Sequence, residues 1–399
     1  MDRRHFLKAG AAASLAAPLA TAPAWETRLR QERRQVRVAE VEAFAVPRAI
    51  YAKVTADDGT TGWGECGHNG GVMVAGVVAR VLRDLLVGMD VFDTEPMWNR
   101  MYFEADELGP GGLASQAIAG VDCALWDLRG KLLGEPVWAL LGGKFVDRVE
   151  LYGSFSRSLG GGRYMEPTQA AETAVAHVEE GFRTLKLRLA IREENQDPKD
   201  DPAFPMVEAV RRAVGDDVTL YVDANNGYSA ARAIQVGRVL AADYGVTVFE
   251  EPVAAHHYPS LARVAQALDM EVTAGEHEYT RWMFRDLLMH GQVDVLNPDV
   301  SKLMGLTDGK KVAALAEIFD RPLAVHNARP TLLTAAHLHY IASCMNARRP
   351  QEHPRRNRLD HLWEFFENRP EVADGYATVP DTPGLGLLPI EARIRAAAG

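Results

Sequence analysis

Residues 219–276 read TLYVDANNGYSAARAIQVGRVLAADYGVTVFEEPVAAHHYPSLARVAQALDMEVTAGE. Three short apolar runs rich in β-formers each lead into an acid: Thr219–Val222 into Asp223, Val246–Phe249 into Glu250, and Glu271–Ala274 into Gly275-Glu276. Between them lie two amphipathic stretches, Ser229–Ala242 and Ser260–Leu268, with helical periodicity. Strands that alternate with helices at this pitch predict a parallel sheet, because each crossover must return the chain to the same edge.

The same unit recurs on both sides. Leu185–Leu189 is followed by the helical stretch Pro205–Val214. After Glu276 come the helix Arg281–His290, the strand Val293–Leu296 with the helix Asp308–Phe319, and the strand Pro322–Val325 with the helix Leu332–Cys344. Six or more units with no Gly-rich dinucleotide turn favour a closed α/β barrel over a doubly wound sheet. Nearly every one of these strands ends in a polar or charged group: Lys186 and Arg188, then Asp223, Glu250, Glu276, Asp299, His326 and Glu352. The last six lie 27, 26, 23, 27 and 26 residues apart. That is the length of one βα unit if roughly 250 residues build eight of them, so the groups fall at equivalent strand ends and converge on one mouth.

Ahead of the barrel, residues Val36–Val54 are rich in β-formers, a turn follows at Asp57-Asp58-Gly59, and Thr61–Cys66 reads as a strand. Helical periodicity then marks Val72–Leu86, Thr94–Tyr102 and Gly112–Leu133. The expected organisation is an α+β capping domain over 36–145, a barrel over 146–370, and a C-terminal segment, 371–399, that returns to the cap. Residues 193–204 form a charged, Pro-containing insertion expected to lie over the barrel mouth. At the start, Arg3-Arg4, the alanine-rich run Ala9–Ala20 and Ala22-Pro23-Ala24 resemble a twin-arginine export signal over 1–24. Its apolar run is short for a membrane span. Export in the folded state to the periplasm, without a stable membrane anchor after cleavage, is the expectation.

Composition narrows the function classes. A formal net charge of −10 and the lack of a lysine- or arginine-rich stripe argue against a nucleic-acid partner. Cys66, Cys123 and Cys344 are far apart and form no CxxC pair, so buried free thiols are expected rather than a zinc, redox or disulfide framework.

Three carboxylates from adjacent strands would repel one another in a partly buried mouth unless a cation lay between them. Asp223, Glu250 and Glu276 offer only oxygen, which points to Mg²⁺ rather than Zn²⁺. Open coordination positions would suit a substrate carboxylate. Removing the proton next to that carboxylate creates a doubly negative enediolate, which needs concentrated positive charge. Mg²⁺ supplies part of it, and Lys186 and Lys302 add more. His326 suits the role of base, with Asp299 fixing its tautomer and raising its basicity. His337, His339, His353 and His361 lack such a context and read as helix or loop residues.

The chain resembles the enolase superfamily and, within it, the mandelate racemase subgroup. The resemblance rests on residues 117–128 (AIAGVDCALWDL) with Gly130-Lys131 and Leu140-Leu141-Gly142-Gly143, on Val222-Asp223-Ala224-Asn225, Phe249-Glu250-Glu251-Pro252 and Gly275-Glu276, on Pro298-Asp299 with Lys302 and Gly305, and on His326. It implies a modified TIM barrel of (β/α)7β form with an N-terminal α+β cap, Mg²⁺ held by Asp223, Glu250 and Glu276, and Asn225 and Glu251 beside the ligands or the substrate. It implies a small carboxylate substrate, and a homo-oligomer is expected. The second strand departs from the family's Lys-x-Lys, reading Lys186-Leu187-Arg188. Arginine stays protonated, so Arg188 is a poor base. Glu352 is assigned to the eighth strand, although residues 348–358 around it are unusually basic.

A racemase needs a base on each face of the substrate carbon, and this chain offers one, His326. One base suits β-elimination of water from a sugar acid. The alternatives are an epimerase or lactone cycloisomerase in which Lys186 or Arg188 reaches the other face. A binding protein for acid sugars would use the same metal ligands but would have no need of the Asp299–His326 pair. Arg48, His68 and Met101–Pro110 are the cap residues expected to choose the substrate.

Overall fold

The computed structural model describes residues 35–67, 70–109, 111–194, 197–353 and 359–399. The export signal, His68, Pro110 and the basic stretch 354–358 lie outside the described residues.

The cap opens with an antiparallel meander, β1 (Val38–Val46), β2 (Ala49–Ala56) and β3 (Thr61–Glu65). The single β-rich stretch of the sequence is thus two strands. They turn at Pro47-Arg48, where Arg48 takes a left-handed φ of 72° and Val46 pairs with Ala49. Helical segments Val72–Val77, Val78–Leu82 and Arg83–Leu86 follow, then the helix Thr94–Ala105. The long helix Leu113–Leu133 is buried along most of its length because the meander lies directly on it. Gly62 and Gly64 permit that approach, since a Cβ on either would collide with a carbonyl of the helix, at Ala124 or Gly120. Cys66, Cys123 and Cys344 are all buried and free.

The barrel is a ring of parallel strands. β4 (Arg148–Ser156) leads to a small hairpin, β5 (Ser158–Gly160) and β6 (Arg163–Tyr164), and then to β7 (Thr184–Arg188), β8 (Thr219–Asp223), β9 (Val246–Glu250), β10 (Glu271–Ala274) and β11 (Val295–Leu296). These pair in the order β4-β7-β8-β9-β10-β11. The seventh barrel strand, expected over Pro322–Val325, is reduced to one parallel bridge between Leu296 and Leu323. Pro322 has no N–H to give a ladder. β12 (Gln351–His353) pairs parallel with β4 and closes the ring.

Seven helices separate the eight strand positions: Pro167–Glu179, Ala203–Val214, Ala230–Tyr244, Tyr258–Ala267, Arg281–Asp286, Leu306–Ile318 and Leu332–Ala342. A short 3₁₀ segment, Asp360–Phe365, follows β12 where an eighth helix would stand. The helix Pro167–Glu179 is not among the sequence expectations: its buried positions are Ala170, Ala174 and His177, with no large aliphatic residue to mark the period.

Beyond the barrel, β13 (Val372–Ala373) and β14 (Tyr376–Thr378) form a hairpin, and β14 adds antiparallel to the start of β4. The helix Glu391–Ala398 then packs on β1 with Ile394 fully buried, and Glu391 Oε1 meets Lys53 Nζ of β2 at 2.8 Å.

Buried carboxylates of the helix Leu113–Leu133 tie the cap to the barrel and to the C-terminal segment. Asp122 accepts from Thr307 N at 2.9 Å and Thr307 Oγ1 at 2.6 Å, at the start of the helix Leu306–Ile318. Asp127 accepts from Trp63 N at 2.8 Å and from Leu385 N at 2.7 Å.

Candidate active site

The C-terminal ends of the barrel strands place the expected groups at one mouth. Asp223 and Glu250, each the last residue of its strand, are register partners, and Asp223 also pairs in register with Arg188. Successive side chains of a strand point to opposite faces, so neighbouring residues of the sequence part company here. Glu250 meets Lys186 Nζ through Oε1 at 2.8 Å. Glu251, with φ at 40°, turns away to Asn226 Nδ2 at 2.7 Å and to His277 Nδ1 at 2.7 Å. Left-handed backbone recurs just past these strand ends, at Ala190, Asn225, Asn226 and Glu251, with Gly275 at φ 141°. The chain turns sharply after delivering each group.

Lys186, 2 % exposed, is clamped between two carboxylates: Glu250 on one side, Glu352 Oε1 at 2.9 Å on the other. Burial alone would favour the neutral amine, but Glu250 and Glu352 outweigh it and hold Lys186 as an ammonium well above its ordinary range. Arg188 donates to Asn225 Oδ1 at 2.8 Å and to Ser156 Oγ at 3.3 Å.

β12 brings Glu352 into the mouth. Burial pushes its pKa up, but Lys186, His326 and a hydrogen bond from Ser154 prevail and bring it to about 2. Of the basic surroundings that the sequence shows, Arg349 is occupied by Glu271 at the first residue of β10.

Opposite Lys186, His326 sits with Nδ1 on Asp299 Oδ2 at 2.8 Å and Nε2 on Glu276 Oε2 at 2.6 Å. Asp299 is fixed in turn by Ser301 N at 2.8 Å and Ser301 Oγ at 2.7 Å. Burial disfavours the imidazolium, yet Glu276, Glu352 and Asp299 raise the His326 pKa well above its usual value. Lys302 Nζ lies 3.5 Å from Glu276 Oε1.

The carboxylates suit a hard cation. Asp223, Glu250 and Glu276 are all at least nine-tenths buried. Burial pushes Asp223 up and Glu250 well up, and the negative charge of the others adds to this. Glu276 would follow, but His326 and Lys302 hold it well below the usual carboxylate range. Buried carboxylates that destabilise one another's charge, presenting oxygen only, fit Mg²⁺.

Among the described residues, close-set donor atoms belong to another trio. One atom each of Glu251, Glu276 and His277 lies within 4.8 Å of the others, so only Glu276 is shared with the expected ligands. His277 was missed in the sequence. Its signal is its position directly after Glu276 in Gly275-Glu276-His277, 26 residues after Glu251. Glu278 lines the same small cavity as Glu251 and His277 and accepts a hydrogen bond from Tyr258 Oη at 3.0 Å. Of the expected substrate-choosing residues, Arg48 is an exposed turn residue whose carbonyl accepts from Arg329, and Met101 is buried in its helix. At the far end of that cap segment, Gly111 lies against the Tyr279 ring.

Comparison with known proteins accounts for this architecture. Residues 25–142 match the family described as mandelate racemase / muconate lactonizing enzyme, N-terminal domain, and residues 169–393 match enolase C-terminal domain-like. An arabinonate dehydratase from Saccharolobus solfataricus is 30% identical over 343 residues, 84% of this chain and 87% of the relative. A D-galactonate dehydratase from Ralstonia pickettii is 33% identical over 86% of this chain and 88% of its own length. A D-galactarolactone cycloisomerase from Agrobacterium fabrum is 31% identical, with 85% and 88% covered. Among solved structures, a mandelate racemase/muconate lactonizing protein from Paracoccus denitrificans, complexed with magnesium, superposes with a TM-score of 0.85 at 35% identity, covering 90% of this chain and 96% of that one. A cap of this kind over a (β/α)7β barrel, with carboxylates and a histidine at its mouth, belongs to a family that the chain matches along most of its length: it is a member of the enolase superfamily, in the mandelate racemase / muconate lactonizing enzyme group.

Proposed function

We propose that the chain is a Mg²⁺-dependent dehydratase of a sugar acid. The observation that carries the reading is the meeting at one barrel mouth of buried carboxylates with a single imidazole whose Nδ1 is held by Asp299. Asp223, Glu250 and Glu276 would hold the metal. When bound there, Mg²⁺ supplies the Lewis acidity that stabilises negative charge on the substrate carboxylate. Glu251 and Asn225 stand beside these ligands, held by His277 and Arg188.

In this reading His326 Nε2 takes the proton from the carbon next to the carboxylate. The electron pair left on that carbon forms the double bond to the neighbouring carbon as its C–O bond breaks. The departing hydroxyl receives a proton from the His326 imidazolium and leaves as water. The resulting enol takes up a proton at C3 and releases its hydroxyl proton to water, giving a 2-keto-3-deoxy acid. Lys186 stays charged between Glu250 and Glu352, so it adds positive charge rather than acting as a second base. Arg188, bonded to Asn225 and Ser156, serves as an electrostatic clamp. The dehydratase relatives support the reaction class, and the cycloisomerase relative marks the competing one.

A screen of acid sugars with Mg²⁺, read by formation of keto acid and by exchange of the α-proton in D₂O, tests the reading. Keto acid formed with one stereospecific exchange supports it. Interconversion of two α-epimers with deuterium in the inverted product, or a lactone converted without loss of water, would replace it.

Export by the twin-arginine route belongs to the same proposal, because Arg3-Arg4 precedes an alanine-rich run. Replacing both arginines by lysine should keep the protein in the cytoplasm. Unchanged export would remove this part.

A further inference from the structure

The segment that follows His326 is tied at two places. Asn327 N donates to Glu352 Oε2 at 2.9 Å, so the residue next to the imidazole is pinned to the eighth-strand carboxylate. Two residues on, Arg329 leaves the barrel. Its Nε donates to Glu65 Oε1 of β3 in the cap at 2.9 Å, and its Nη2 donates to the Arg48 carbonyl in the β1–β2 turn. Glu65 Oε2 also accepts from Thr331 Oγ1 and from Leu333 N, the latter at 3.1 Å. The strap is stiffened within itself: Thr334 Oγ1 donates to the Arg329 carbonyl at 2.6 Å, and Asn327 Nδ2 reaches Thr334 Oγ1 at 3.1 Å.

Glu65 is 1 % exposed and Arg329 2 %. A buried ion pair of this kind costs several kcal/mol of desolvation per ion, and hydrophobic replacements are often as stable. Stability alone is therefore a weak account of it. Its geometry offers a better one. Three donors converge on one carboxylate of the cap: Arg329 Nε and Thr331 Oγ1 from the strap that follows His326, and Leu333 N from the first turn of the helix Leu332–Ala342.

We infer that Glu65 and Arg329 are positioning residues: through this strap the cap sets where His326 stands relative to Glu352 and to the substrate carbon. The inference rests on the reading of His326 as the proton-transfer group. It concerns neither residue's contact with substrate. A displacement of about 1 Å at a reacting group can cost about 100-fold in rate, so a loosened strap should act on turnover. Asp223 and Glu250 end other strands and Glu276 follows a third, and none of them bonds to the strap, so metal affinity should change far less than turnover.

The test compares Glu65→Gln, Glu65→Asp and Thr331→Val in the full chain. Glutamine keeps the shape but sets an amide N–H₂ against either Arg329 Nε–H or Leu333 N–H, which only donate. Aspartate keeps the charge, and Thr331→Val removes one donor at nearly constant volume. Expected for Glu65→Gln is a fall in kcat of about 10- to 100-fold on the turned-over acid sugar, with KM and the Mg²⁺ titration within about twofold of wild type. Aspartate should recover part of that loss. The side-chain ¹⁵N signal of His326 should move in Glu65→Gln and Thr331→Val. If Glu65→Gln does not fold, Thr331→Val bears the test, with a smaller fall in kcat expected. Folded variants with unchanged kcat, or with kcat and Mg²⁺ affinity falling together, overturn the inference. His326→Asn run beside them separates the two claims. If it retains proton exchange, the reading of the site fails. If it alone is inactive while the Glu65 and Thr331 variants work normally, only the strap fails.

Discussion

Two carboxylate–imidazole pairs flank Glu276. Asp299 holds His326 at 2.8 Å and Glu251 holds His277 at 2.7 Å, nearly the same bond at nearly the same spacing along the chain. Their surroundings differ. Burial works against charge on both rings. At His326 it is outweighed by Glu276, Glu352 and Asp299, and the pKa goes well up. At His277 burial prevails, and although Glu276 opposes it, the cations Lys302, His326 and Arg192 help to push the pKa down to about 4. A carboxylate partner therefore does not by itself make a histidine a base. The balance of burial against the charges around the ring decides it.

The largest effect that would break this contrast is on turnover. His326→Asn should abolish both keto-acid formation and α-proton exchange, a loss of about 10²–10⁴-fold or more, since one group serves two proton transfers. His277→Asn should leave exchange measurable within about tenfold. Equal losses in the two variants would mean that the pairs share the chemistry.

Next comes the metal. Glu250→Gln and Asp223→Asn should each weaken Mg²⁺ strongly in a calorimetric titration, and Glu251→Gln and His277→Asn should do so far less. The reverse order would move the metal to the Glu251, Glu276 and His277 trio.

A smaller effect is expected at the supporting carboxylate. Asp299→Asn leaves the imidazole in place but removes the acceptor that fixes its tautomer, costing about 10- to 100-fold in kcat, less than His326→Asn. Arg188→Lys should lower turnover without changing the product.

The smallest effect is on pH dependence. With a pKa of about 4 in the folded protein, the His277 ring stays neutral from pH 8 down to about pH 5, and its NMR signals should not shift over that range. The unfolded chain would protonate it near pH 6.5. The unfolded state then binds more protons between the two values, so this residue's contribution to stability is whole above about pH 6.5 and is lost as pH falls toward 4. Chemical denaturation of His277→Asn should show a weaker acid dependence than wild type. An identical dependence would place the proton elsewhere.

Much of this site could be read from residue order because barrel strands repeat. The spacing of Asp223, Glu250, Glu276, Asp299, His326 and Glu352 is a property of the βα unit, and the structure brings these residues to one mouth. The departures have local causes. The turn at Pro47-Arg48 hides inside a run of β-formers because it takes only two residues and one left-handed φ. The seventh strand has the composition of a strand but begins with Pro322 and makes one bridge. The spacing of His277 from Glu251 is present in the sequence, but it gains meaning only because Glu251 turns away from Glu250, a matter of backbone direction rather than residue type. The Glu65–Arg329 contact joins positions 264 apart, and no periodicity announces such a pair.

The helix Glu391–Ala398 closes the side of the cap next to β1, and its Arg395 reaches Glu42 across 353 positions. A ribosome delivers β1 early and this helix late. Until it arrives, the cap holds an uncovered apolar seat for Ile394, and β4 has no β14 beside it. Synthesis thus leaves the first-made sheet unfinished while the whole barrel is built, which exposes it to chaperones and proteases for most of that time. Under the export route proposed above, the chain would become ready to leave only once this helix has docked.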